Sequence, residues 1–184
     1  LFLPEDAPAS PLTEWTFAVP LTRMPESAAP KLGTVSSLVQ LDLDAPENAQ
    51  GVLYALAGFS GGITCFVKDG YVNYEFNLFE IERTKIKSDI KLPIGKSTVE
   101  VESQLVDKIG GAMDVTIRIN GKQVAKERVP RAMSLHFTSN ATFDIGTDLD
   151  SPVSLDYFDQ APFPFTGKIG TTEIKYLKKA TSSK

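Results

Sequence analysis

Two dipeptides, Asp69-Gly70 and Asn120-Gly121, limit what this chain can become more than any other feature. Each sits between runs rich in β-branched and aromatic residues, ITCFV and YVNYEF around the first, MDVTIRI and KQVAKERV around the second. A two-residue type I′ turn needs positive φ at both central positions, which Asp-Gly and Asn-Gly adopt at low cost. Both stretches are therefore predicted to be antiparallel hairpins. Before the second turn Met113, Val115, Ile117 and Ile119 alternate with Asp114, Thr116, Arg118 and Asn120, a period of two with one dry and one wet face.

The alternation recurs along the chain. Val39, Leu41 and Leu43 oppose Leu38, Gln40, Asp42 and Asp44, and Val99 and Val101 oppose Thr98, Glu100 and Glu102. GVLYALAG is almost wholly apolar, as a strand covered on both faces would be. EWTFAV and GTTEIKYLK are further strands, and GFSGG between two of them reads as a turn. No window of a dozen residues shows an apolar period of 3.6, and 12 prolines and 13 glycines punctuate the chain. The fold class is all-β. Protecting the edges of so many antiparallel strands leaves a barrel or a sandwich, and an antiparallel two-sheet β-sandwich of about twelve strands, a concanavalin-like jelly roll, is expected. Residues 1–12 are expected to form an extended linker or wrap, 13–178 the sandwich and 179–184 a solvated tail.

Composition narrows the partners. The net charge of −4 and the scatter of basic residues, apart from KYLKKATSSK near the end, argue against nucleic acid. No apolar run approaches a membrane span. A single cysteine excludes an internal disulfide framework and a cysteine-rich zinc site. The opening LFLPEDAPAS, with neither Met nor a basic segment before an apolar one, suggests an excised or processed piece of a longer protein.

Catalysis by this chain is not expected. Cys65 lies in a strand-like run, without the neighbouring cation or base that a reactive thiol needs, and is expected to be a buried core residue. The one histidine, His136, lies in MSLHFTS, itself strand-like. There is no G-x-S-x-G elbow, P-loop or dinucleotide fingerprint. Binding sites are better represented. Asp144, Asp148 and Asp150, followed by Asp156, set hard oxygen donors at short spacing, a candidate calcium site or else a turn whose aspartates cap their own backbone. FNLFEIERT places Asn77, Glu80 and Arg83 beside Tyr74, Phe76 and Phe79, a mixture that suits a sugar groove, or simply a strand with its aromatics inward. Arg83, Lys85 and Lys87 alternate along one strand face and would suit an anionic glycan, or be solvated charges. Asn140 in NAT is a glycosylation sequon in a eukaryotic secretory setting.

In order along the chain, GVLYALAGFSGGITCFVKDGYVNYEFNLFEIERTKIKSD, LPIGKSTVEVE, VTIRINGKQVAKERV, TFDIGTDLDSPVSLDY and PFPFTGKI resemble the C-terminal region of bacterial arylsulfatases, with RMPESAAPKL as its lead-in. The resemblance runs from about residue 14 to residue 176. It implies a concanavalin- or laminin-G-like sandwich appended to a sulfatase catalytic domain, in the periplasm or outside the cell. It also implies an accessory role: covering that domain or shaping access to its sulfate pocket. The family's C-x-P-S-R or S-x-P-S-R motif, whose first residue becomes the catalytic formylglycine, does not occur; after Cys65, Val67 stands in place of its proline and Asp69 in place of its arginine. SNATFD replaces an acidic pair that usually precedes Thr-Phe, and Asp150 replaces a usual glycine. Two further functions are compatible with the residues: a free-standing lectin-like carbohydrate-binding module, and a polysaccharide-acting enzyme on the same fold.

Overall fold

The computed structural model describes residues 12–138 and 141–178. The linker up to residue 11, the tail from 179 to 184 and the sequon at Asn140 lie outside the described residues. Twelve strands follow one another: β1 (Glu14–Phe17), β2 (Met24–Pro25), β3 (Ser37–Ala45), β4 (Gly51–Gly58), β5 (Gly61–Lys68), β6 (Tyr71–Leu78), β7 (Glu82–Lys91), β8 (Gly95–Leu105), β9 (Met113–Ile119), β10 (Lys122–Val129), β11 (Thr142–Ile145) and β12 (Lys168–Tyr176). They form two six-stranded antiparallel sheets, in the orders β1-β12-β3-β8-β9-β10 and β2-β11-β4-β5-β6-β7. This is a jelly-roll sandwich. A 3-10 helix, Leu155–Gln160, interrupts the run of strands. Among the described residues no helix is long and apolar enough to cross a membrane.

The predicted turns form as expected. Asp69 and Gly70 have φ of 54° and 81°, and Asn120 and Gly121 have 51° and 79°. With those turns fixing register, alternation decides which face is dry. From the first sheet Val39, Leu41, Leu43, Val99, Val101, Val115, Ile117 and Ile119 point inward; from the second, Ile63, Cys65, Val67, Val72, Tyr74, Phe76 and Ile86 meet them. Full burial of each such side chain contributes about 1.5–3 kcal/mol.

β4 is buried along its whole length. A register shift between Val52 and Tyr54 turns both Leu53 and Tyr54 into the main core, while Val52 and Ala55 face outward. Those outward residues are covered too. Val153, Tyr157 and Phe163 pack on Val52, Ala55 and Phe66 as a second, smaller core. The segment between β11 and β12 is therefore an added layer on the outer face of the second sheet.

The described part of MSLHFTS, residues 133–138, is not a strand. Residues 133–138 are irregular, and His136 is exposed. Their backbone groups find partners in loops instead of a ladder: Met133 N–H donates to Gly33 O at 2.9 Å, and Phe137 and Thr138 N–H donate to the Glu26 carboxylate at 2.6 and 2.9 Å.

Gly51, at φ 115°, admits the added layer. A Cβ there would collide with the backbone of Pro164 and Phe165, where Val52 N–H donates to Phe163 O at 2.8 Å and Thr166 N–H to Gln50 O at 2.8 Å. G51A is expected to cost about 2–4 kcal/mol of stability, roughly 5–15 °C in Tm for a domain of this size. Calorimetry giving an unchanged Tm would contradict this packing.

Candidate functional site

The outer face of the second sheet changes character from β4 to β7. Near β4 it is apolar and covered; toward the β7 edge it is charged and open. In β7 alternation buries Ile86 and Ser88 and leaves Lys85 and Lys87 exposed. Register places Lys85 opposite Glu75 and Lys87 opposite Asn73 on β6. Glu75 and Asn73 in turn sit opposite Thr64 and Phe66 on β5. Together with Asp156 of the 3-10 helix, Phe66, Asn73, Glu75, Lys85 and Lys87 line a cleft of about 200 Å³.

Its floor is a buried ion pair. The Glu75 side chain is 1 % exposed, and an isolated buried carboxylate is very costly. Arg83 Nη1 donates to Glu75 Oε1 at 2.7 Å and to Val153 O at 2.8 Å, and the Ser154 hydroxyl donates to the other carboxylate oxygen. The Arg83 guanidinium also lies 5.5 Å from the centre of the Phe59 ring. Arg83 thus ties β7, β6 and the added layer together. Above this floor the contacts are wetter. Lys85 Nζ lies 2.6 Å from Asp156 Oδ1 and 3.9 Å from Glu75 Oε2, and the Lys68 ammonium donates to the Asp156 carbonyl. Lys87 and Lys91 hold their ammoniums 4.2 and 5.7 Å from the Tyr71 ring centre.

Of the residues singled out in the sequence, Lys85 and Lys87 line this cleft, Arg83 lies beneath it on Glu75, and Asn77 does not line it. Asn77 is buried: its Nδ2 donates to Phe59 O at 2.7 Å and its Oδ1 accepts from Glu80 N–H at 2.9 Å. It braces a β6–β7 turn in which Phe79 and Glu80 both have positive φ without a glycine. Glu75, Asn73 and the partnership with Asp156 were not singled out. Alternation carried the signal, since Tyr74 and Phe76 facing inward leaves Asn73 and Glu75 outward.

Asp144, Asp148 and Asp150 lie in the added layer and beside it, and all accept hydrogen bonds from the chain. Asp144 takes Arg23 N–H at 2.6 Å and Leu149 N–H at 3.1 Å, and Asp150 takes the Thr142 hydroxyl at 2.8 Å. Asp148 takes Val153 N–H at 2.9 Å and the Tyr157 hydroxyl at 2.6 Å, with Thr64 Oγ1 a further 3.0 Å from that hydroxyl. Among the described residues no group of three or more His, Cys, Asp or Glu side chains gathers as a metal ion would need. Cys65 is buried, and burial pushes its thiol well above its ordinary pKa, which suppresses the reactive thiolate.

No family model matches the chain, and no curated protein matches it. Solved structures do. The CBM40 of the Ruminococcus gnavus IT-sialidase, bound to α2,6-sialyllactose, aligns over 89 % of this chain and 94 % of its own with a TM-score of 0.60 and 12 % identity. Domain 4 of AbnA, a GH43 extracellular arabinanase from Geobacillus stearothermophilus in complex with arabinotriose, aligns over 79 % and 63 % with a TM-score of 0.52 and 17 % identity. Domains LG4-5 of the mouse laminin α1 chain align over 94 % and 44 %, with a TM-score of 0.51 and 17 % identity. These likenesses establish a lectin-like β-sandwich, in keeping with the concanavalin- and laminin-G-like fold that the sequence implied. None of the three is a sulfatase.

Burial, more than the neighbouring Asp144 and Asp150 charges, raises the Asp148 carboxyl to about 6, although its bonds to Tyr157 and Val153 pull the other way. The folded chain then holds this proton more tightly than the unfolded chain. The contribution is fully present below the ordinary carboxylate pKa and is lost as pH rises through about 6. Ionising Asp148 in place costs on the order of 3 kcal/mol. D148N, which keeps an acceptor for Val153 and Tyr157, is expected to flatten the fall in Tm between about pH 4 and pH 6. Parallel curves for wild type and D148N would sink the assignment.

Proposed function

We propose that this chain is a non-catalytic, lectin-like carbohydrate-binding module whose ligand is an acidic glycan, held in the cleft between β6, β7 and the 3-10 helix. The observation that carries this reading is the pair of exposed ammoniums, Lys85 and Lys87, beside the half-buried Asn73 in a chain whose net charge is −4. Ammoniums are compact point charges that suit carboxylate or sulfate groups. An amide such as that of Asn73 suits the hydroxyls of a sugar ring. Two of the neighbours of the same fold carry a saccharide in their structures, sialyllactose in one and arabinotriose in the other, which supports glycan as the ligand class. A bound glycan also fits an extracellular or periplasmic setting. Arg83 serves this site from below, as the brace of its floor.

A second reading has its own observation. Phe79, Ile81 and Leu135 are 43, 78 and 76 % exposed around a hollow of about 540 Å³ at one end of the sandwich. Exposed apolar patches of this kind mark contact surfaces, and an accessory domain packed on a sulfate-ester-hydrolysing domain would need one. Heat on titrating an arylsulfatase catalytic domain with this chain, lost in I81E/L135E, supports that arrangement; no heat with the unaltered chain removes it.

For the main reading, K85A/K87A is expected to weaken binding to a sialylated or sulfated oligosaccharide by roughly ten- to a hundredfold, as loss of charge-assisted hydrogen bonds would. Tm should change little, because both side chains are exposed. Retention on sulfated and sialylated glycan columns equal to that of wild type would remove the acidic-glycan assignment.

A further inference from the structure

The geometry points to Asp156 as an internal occupant of the ligand's anion position, one that sets the selectivity of the cleft. We infer that in the unliganded chain the Asp156 carboxylate holds Lys85, and that an acidic ligand binds by exchanging its own anionic group for that carboxylate. The inference rests on the acidic-glycan reading and deepens it, because it names the ammonium that receives the anion and the group that must first leave.

Two ion pairs in this region differ sharply in exposure. Arg83 and Glu75 have side chains 15 % and 1 % exposed, and both carry further bonds to Val153 and Ser154. That pair does not open without exposing the floor. Lys85 and Asp156 have side chains 47 % and 39 % exposed, with a single contact of 2.6 Å between them. An exposed pair of this kind contributes little and exchanges readily. Its partners also face the same cleft, so the carboxylate lies where an incoming anion would approach Lys85.

The backbone of Asp156 is held apart from its side chain. Its N–H donates to Ser154 Oγ at 3.1 Å, and its carbonyl accepts from the Lys68 ammonium. The carboxylate can therefore swing away by side-chain rotation while the helix stays on the sheet. Lys85 does not lose its setting when this happens, because Glu75 Oε2 remains 3.9 Å from its Nζ. The exchange replaces one anion by another at Lys85, so the charge balance around the ammonium is preserved. A neutral sugar offers nothing to Lys85 in return, and leaves the Asp156 contact in place. The cleft thereby discriminates by charge before any other contact is made.

The test is calorimetric titration of wild type, D156N and K85A/D156N with lactose, 6′-sulfolactose and 6′-sialyllactose, three probes sharing one neutral core. D156N removes the competing charge and keeps the backbone bonds. It is expected to bind one or both acidic probes roughly three- to tenfold tighter, as removal of an exposed pair and a like charge would give. Lactose should be unaffected, and K85A/D156N should lose the gain. Tightening toward the sulfated probe alone identifies sulfate as the anion; tightening toward the sialylated probe alone identifies carboxylate. Wild type binding an acidic probe with D156N no tighter overturns this inference and leaves the glycan reading standing, as does a gain that persists in K85A/D156N. Silence of wild type and D156N toward every probe overturns both. A melting curve of D156N matching wild type excludes misfolding, and D156A serves as the second variant should it not match.

Discussion

A buried carboxylate is the fact that organises the second sheet. Glu75 is buried on the outer face of a sheet, where a β-strand ordinarily sends its polar side chains to be solvated. Its charge needs a cation and two satisfied oxygens, and these come from different elements. Arg83 is its neighbour from β7, and Ser154 comes from the layer between β11 and β12. Removing Arg83 leaves a buried charge uncompensated, a condition that costs several kcal/mol. The same contacts fix the height of the added layer above the sheet. The stacked Tyr157 and Phe163 rings, with Phe66 edge-on to Tyr157, then fill the apolar half of that interface.

From this anchor the charges fall into a gradient of exposure. Arg83, least exposed, is structural. Lys85, half exposed and between two carboxylates, is labile. Lys87, open and resting over Tyr71, faces the solvent from which a ligand would come. In water an ion pair at 4 Å has about 1 kcal/mol of Coulomb energy, and burial multiplies that several-fold. Three cations at alternate positions of one strand therefore do three different things. Their differences come from what covers them.

The sandwich was largely legible in the sequence, because its determinants are local. Asp69-Gly70 and Asn120-Gly121 need only their own φ angles, and alternation such as that of Val39, Leu41 and Leu43 needs only the strand period. The exceptions had non-local causes. Residues 133–138 have strand-like composition, but their backbone partners are Glu26 and Gly33, about a hundred positions away. The Phe79-Glu80 turn carries none of the usual turn residues, and is held by Asn77 reaching across it. The site was legible in part. Strand alternation brought out Arg83 and Lys85. Which of them would be covered depended on residues 153–156, some seventy positions later, and no local pattern announces that contact. Asn77 looked like a ligand residue for the same reason: its polarity is written in the sequence, and its burial is not.

The arylsulfatase resemblance and the solved neighbours agree on architecture, and the division of labour within the sheet explains why. Inward positions and turns define a lectin-like sandwich, and chains of very low identity satisfy them equally well. The outward positions of β6 and β7, and the length and chemistry of the segment laid across them, are free to vary without disturbing the core. A resemblance carried by hairpin turns and alternating strands is therefore a resemblance of fold. Function has to be sought where the fold imposes nothing. In this chain the proposed site is the strip that Lys85, Lys87 and Asp156 line, since no requirement of the sandwich calls for opposed charges at an open edge of its second sheet.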